Sequence, residues 1–348
     1  IDRLGPNDIV SIVSYSSDVN VIVPATKLTD KEPIYTRINS LSTDGNTALF
    51  AGVSKGIDET RKFKEKGRVN RVILLSDGIA NLGPSSPAEL GELGMSVGKE
   101  NISVSTIGLG LGYNEDLMSQ LAMKSDGNHA FVEKPEDLVQ IFEYEFGDVL
   151  SVVAQEVTIT IECPKGIRPI RTLGREADIV GQKIVANLNQ LYSEQEKYIL
   201  LEVEVPAMKA GRSLKLAKVD VTYSNMLTNR TDTLSGSVRV TFTGSKDLVE
   251  KRTNVVVMAA VVEQIATERS KLAVELRDKG EIEEAKKVLN ANASYLSLSA
   301  KKYKSPKLST LGASNSADAE RVDDDAKWRS GRKAMRKQQH ESASQQSY

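Results

Sequence analysis

An aspartate leaves an apolar run in Val72-Ile73-Leu74-Leu75-Ser76-Asp77-Gly78, and a threonine stands in the polar segment Asp44-Gly45-Asn46-Thr47-Ala48-Leu49. The first pattern reads as a buried strand that delivers a carboxylate at its exit. The second reads as a loop opening a helix. In open α/β sheets, ligands gather at the carboxyl ends of the strands, so Thr47 and Asp77 could share one cation there. A hard divalent ion such as Mg²⁺, with Mn²⁺ or Ca²⁺ as substitutes, takes about six oxygens and keeps some as water, which suits one hydroxyl and one carboxylate. Each residue also has a plainer reading. Asp77-Gly78 could be a turn after a strand and Thr47 a helix cap, with Asp44 and Asn46 capping the loop.

Other chemistries find little support. The two histidines, His129 and His340, lie far apart in sequence, and Cys163 is the only cysteine. No zinc-binding spacing exists, and neither histidine accompanies a nucleophile elbow. Cys163 reads as a packed thiol and His129 as a strand residue. Gly108-Leu109-Gly110-Leu111-Gly112 has the spacing G-x-G-x-G, not the G-x-G-x-x-G of a dinucleotide fingerprint, and reads as a tight strand-to-helix turn. With 46 basic and 47 acidic residues, net charge gives no case for nucleic acid or an anionic membrane. The longest apolar run, Val255 to Val262, falls far short of the roughly 20 residues that span a bilayer.

The elements that would position Thr47 and Asp77 follow from periodicity. Up to about residue 150, strand-like runs at Ile9 to Tyr15, Val72 to Ser76 and Ile102 to Leu109 are separated by helical patterns at Thr47 to Phe63 and Pro87 to Lys99. That alternation predicts a parallel sheet covered on both faces, closed by a helix over Pro135 to Phe146. From 151 to 245 the period changes to two, as in Val157, Ile159 and Ile161, which predicts an antiparallel β-sandwich with a bulge between Leu216 and Val219. Residues 246–305 predict a helical hairpin. One helix carries Met258, Val262, Ile265, Leu272 and Leu276, and the other carries Ile282, Ala285, Leu289, Leu296 and Tyr303. Its Asp278 to Ala285 stretch is similar to one tetratricopeptide unit, too few for that stacked architecture. Residues 306–348, rich in Ser, Ala, Asp, Lys and Gln, predict a disordered tail in which Trp328 could anchor a partner.

The stretches Ile1 to Tyr15, Gly45 to Gly52 and Val72 to Gly83 resemble bacterial members of the von Willebrand factor type A family, over roughly the first 150 residues. The resemblance implies a Rossmann-like doubly wound domain with a metal-ion-dependent adhesion site, built from an Asp-x-Ser-x-Ser loop, a loop threonine and a later aspartate. Thr47 matches the threonine, a direct ligand, and Asp77 matches the aspartate, which binds directly or through water. The Asp-x-Ser-x-Ser element is absent. Ile1 to Asp8 reads like the end of the family's first helix, so the chain is expected to begin mid-domain and its cation site to be weak or absent in the chain as given. Losing the large apolar side chains of a central strand, about four at about 1.5 to 3 kcal/mol each, would leave this domain marginal.

Function, on this resemblance, is non-enzymatic. It is cation-dependent binding of, or adhesion to, a protein partner through an acidic side chain of that partner. The order of modules also resembles bacterial proteins related to inter-alpha-trypsin inhibitor heavy chains and to calcium-activated chloride channel regulators. The alternatives are an accessory subunit beside a chelatase or AAA+ ATPase, or a metal-independent scaffold. The binding reading favours the periplasm or cell surface, and the ATPase reading the cytoplasm.

Overall fold

The computed structural model describes residues 1–42, 45–65 and 67–346. In chain order the first region comprises β1 (Ile9–Tyr15), β2 (Val19–Lys27), α1 (Glu32–Asn39), α2 (Leu49–Arg61), β3 (Asn70–Ser76), α3 (Pro87–Gly98), β4 (Ile102–Leu109), α4 (Glu115–Lys124), β5 (His129–Val132) and α5 (Leu138–Leu150), the last entered through a 3-10 turn at Pro135–Asp137. Ile1 to Asp8 folds as successive turns, with Leu4 N bonded to the Ile1 carbonyl and Asp8 N to that of Gly5.

Strands β3, β4 and β5 form a parallel sheet in that order, with Ser76 level with Gly108. Because α3 and α4 cover one face and α5 the other, seven of the eight residues of β4 are buried. Strands β1 and β2 form a separate antiparallel pair. Helix α2 joins the two sheets. Its Gly52 lies so close to the Tyr15 ring of β1 that no side chain fits, and its Gly56 faces Val72 of β3. The Tyr15 hydroxyl donates to the Leu75 carbonyl at 2.5 Å, a direct link from β1 to β3.

The second region contains β6 (Val152–Glu162), β7 (Arg168–Leu173), β8 (Asp178–Val180), β9 (Lys183–Tyr192), β10 (Leu200–Glu204), β11 (Ser213–Asn225) and β12 (Arg230–Thr241). Five strands pair in the order β12-β11-β6-β9-β8, and a two-stranded sheet, β10-β7, packs on their apolar face through Ile199, Leu201 and Val203. The bulge falls at Leu216, where the register shifts between Lys215 and Ala217. A buried polar seam ties this region to the first. Arg71 of β3 pairs with Glu145 at 3.2 Å and donates to Gln190 at 2.6 Å, while Asp126 accepts from Arg175 and from Asn189 N, both at 2.7 Å. Arg175 and Lys197 hold the Asp126 carboxyl below its ordinary range despite burial, and burial lowers the Lys197 ammonium to about 8.

The third region is larger than a hairpin. After α6 (Lys246–Arg252) come α7 (Val255–Asp278), α8 (Ile282–Tyr303), α9 (Pro306–Arg321) and α10 (Asp325–Ser344). Helices α9 and α10 occupy the segment that composition marks as a disordered tail. Trp328 is buried in the chain's own core, beside Ala273, Leu289 and Met335, under the Arg277 guanidinium. The low apolar content of α10 misleads because its charges find partners on α4. Arg332 meets Glu115 and Asp116 at 2.5 and 2.6 Å, Lys333 meets Glu115 at 2.5 Å, and Arg336 meets Asp116 at 2.7 Å. The buried face of α7 also differs from expectation. Val262, Ala266, Ser270 and Ala273 line it, whereas Leu272 is exposed, because helices packed this closely favour small residues at the contact. No helix among the described residues is long and apolar enough to cross a membrane.

Candidate functional site

Three loops meet at the carboxyl edge of the first region, after β1, after β3 and before α2. Tyr15 ends β1 and places Ser16 and Ser17 there, and Ser76 ends β3 and places Asp77 there. Ala48 N donates to the Ser16 carbonyl at 2.8 Å and Asn46 N to the Ser17 hydroxyl at 3.0 Å, fastening the loop before α2 to the exit of β1. Asn81 fastens the same loop to the exit of β3. Its side-chain oxygen accepts from Thr47 N at 2.8 Å, and its backbone N donates to the Thr47 carbonyl at 3.3 Å.

These bonds bring the two expected residues together. The Thr47 hydroxyl lies 3.0 Å from where a Cβ on Gly78 would stand, so it sits against the residue following Asp77. The turn before α4 closes the site from the other side, for Gly112 packs on the Asp77 carbonyl with no room for a side chain. Gly110, at φ +63°, makes that turn tight, as the glycine spacing suggested.

The plainer reading of Thr47 fails on geometry. Ala48 is the N-cap of α2, and no side chain caps that helix. Among the described residues, the Thr47 hydroxyl and the exposed Asp77 carboxylate make no hydrogen bond or ion pair with a protein group. Two uncommitted oxygens at the junction of three loops fit a hard cation that completes its shell with water and a ligand. No group of three or more His, Cys, Asp or Glu residues forms a metal cage among the described residues. Asn46 serves the loop, its side-chain oxygen accepting from Asn81 at 3.4 Å, and Asp44 lies outside the described residues.

The cysteine and both histidines are buried. Cys163 is buried, and burial raises its thiol pKa. His129 and His340 are buried together, ring centroids 5.9 Å apart, with His340 Nε2 donating to the Gly127 carbonyl at 3.0 Å. Burial and the neighbouring cations lower both, His340 to about 4.

Residues 1–143 match the family model of the von Willebrand factor type A domain. This region is a type A domain. Its fold recurs in the von Willebrand factor type A protein from Catenulispora acidiphila, with a TM-score of 0.72 at 15% identity over 88% of this chain and 74% of that one. It recurs also in the ArnB paralog VWA2 from Sulfolobus acidocaldarius, at 0.59 and 19% identity over 97% and 80%. Both likenesses extend past the type A domain into the sandwich and helices. Among curated proteins the chain is 28% identical to the uncharacterized protein YfbK of Escherichia coli K12, over 51% of this chain and 31% of that protein. It is 24% identical to the uncharacterized protein sll0103 of Synechocystis, over 69% and 59%. The chain thus spans about one third and three fifths of these relatives.

Type A domains generally mediate protein–protein interaction. Sequence reasoning singled out Thr47 and Asp77, and passed over Ser17 and Asn81, whose hydrogen bonds fasten the loop that carries Thr47. Ser17 carried a faint signal, a pair of serines directly after a strand, whereas Asn81 carried none.

Proposed function

We propose that this type A domain binds a protein partner through a divalent cation, Mg²⁺ in the first instance, and that it works by binding and not by turnover. Thr47 contributes a hydroxyl to the ion, and Asp77 a carboxylate, directly or through water. Low protein charge at the metal leaves it electrophilic enough to take a carboxylate from the partner. The observation that carries this reading is the pair of uncommitted oxygens, Thr47 Oγ1 and the Asp77 carboxylate, on two loops that Asn81 ties together through the Thr47 backbone. The burial of both histidines and the cysteine supports a non-catalytic role. Titration of Mn²⁺ into the protein, read by electron paramagnetic resonance, tests it. Weak binding is expected for the wild type, because the Asp-x-Ser-x-Ser element is absent, and none for Asp77→Ala, and equal binding by both would overturn the assignment.

A further inference from the structure

The long edge strand β12 lies at the opposite end of the five-stranded sheet from β8 and, among the described residues, pairs with β11 alone. Its residues are almost all exposed. Edge strands of soluble proteins are ordinarily blunted by lysine, proline, bulges or shortness. Strand β12 has 12 residues, contains no lysine or proline, keeps its charges, Arg230, Asp232 and Arg239, outside the uncharged stretch Thr233 to Val238, and has its nearest bulge on β11 instead.

The side chains sharpen the point. Cross-strand pairs run Ala186, Ile159, Val221, Leu234 from β9 outward, and Ile184, Ile161, Val219, Gly236 beside them. This is one continuous apolar face. It is covered by β10-β7 near β6 and β9, and it reaches β12 uncovered, leaving Leu234 59% and Val238 49% exposed.

We infer that β12 is a self-association edge, on which a second copy of this chain pairs antiparallel about a two-fold axis at Gly236. A two-fold axis perpendicular to the sheet demands that opposed residues share a face, and centring it on Gly236 sets Leu234 against Val238 of the second copy, twice. The same register sets Ser235 against Ser237 and Arg239 against Thr233, so no like charges oppose one another. It also carries the Leu227 turn, 86% exposed, alongside the start of α6 in the second copy, where Leu248 and Val249 are exposed. A strand of this length is about 40 Å long. Pairing along it, with both turns added, buries on the order of 1,000 Å² in total, the lower end for a specific interface. An interface at that lower end makes a dimer that exchanges with monomer, not a permanent one.

Sedimentation equilibrium of the 348-residue chain from about 1 to 200 μM tests this, with circular dichroism as the fold control. The wild type is expected to pass from monomer to dimer. L234K/V238K sets lysine against lysine at both pairs and is expected to weaken association at least tenfold. L234K/V238E sets lysine against glutamate and is expected to restore it. Both positions are exposed, so neither variant disturbs a core. A wild type that stays monomeric throughout overturns the proposal, as does a dimer indifferent to L234K/V238K. A dimer lost in the first variant and not restored in the second overturns the register at Gly236.

Discussion

The two sheets of the molecule solve the same problem differently. In the five-stranded antiparallel sheet, every strand from β11 to β9 has a hydrogen-bonded neighbour on both sides. The sheet of the type A domain is divided, β1-β2 on one side and β3-β4-β5 on the other, and helix α2 with the Tyr15–Leu75 bond spans the division. The parallel block is deeply buried, with Leu117, Met118 and Leu121 of α4 excluded from solvent. All seven residues of β1 are only half-buried. Thr47 directly precedes α2, the helix that spans the division, and Asp77 leaves β3 of the buried block, so the candidate cation site stands where the two units join.

This asymmetry should be measurable. Leu121→Ala is expected to cost about 2–5 kcal/mol, because the cavity opens in a closed core, whereas Ile12→Ala in β1 should cost about 1 kcal/mol. Urea unfolding of the two variants checks this, and equal losses would break the comparison. Acidification should act on the buried histidine pair that docks α10 on the parallel block. A histidine whose folded pKa lies below its unfolded value of about 6.5 binds its proton more readily when unfolded. For His340, stability should be fully present above about pH 6.5 and fall by a few kcal/mol as pH drops toward about 4, where its folded form titrates. Thermal melts between pH 7.5 and 4 check this, and His340→Gln should flatten the slope. The smallest effect is expected at the clasp. Tyr15→Phe removes one hydrogen bond and Asn81→Ala two, one of them long, so each should cost about 1 kcal/mol, and hydrogen exchange should speed in the loop before α2 for Asn81→Ala and in β1 for Tyr15→Phe.

What the sequence made legible was local. A carboxylate at a strand exit and a hydroxyl before a helix are each readable within seven residues, and Thr47 and Asp77 were found that way. The bonds that unite them were not, because Asn46 reaches Ser17 across 29 residues and Thr47 reaches Asn81 across 34. The alternation of strands and helices revealed a covered parallel sheet, the resemblance of Gly45 to Gly52 and Val72 to Gly83 pointed to the type A family, and period two revealed the sandwich strands. Helices α9 and α10 escaped for a different reason. Their low apolar content resembles a solvated tail, yet Arg332, Lys333 and Arg336 are answered by Glu115 and Asp116, more than two hundred residues away. Periodicity reports which side of a helix is apolar, and it is silent about a partner that supplies the opposite charge.

The placement of Trp328 gives this protein a built-in optical probe. It is the one tryptophan in the chain, and it sits among Ala273, Val274, Leu289 and Met335 in the helical region, with the Arg277 guanidinium 5.6 Å from its ring. Light absorbed at the red edge of the protein spectrum is therefore emitted from the helical bundle alone. A shift of that emission times the moment the bundle opens, while the two sheets stay dark.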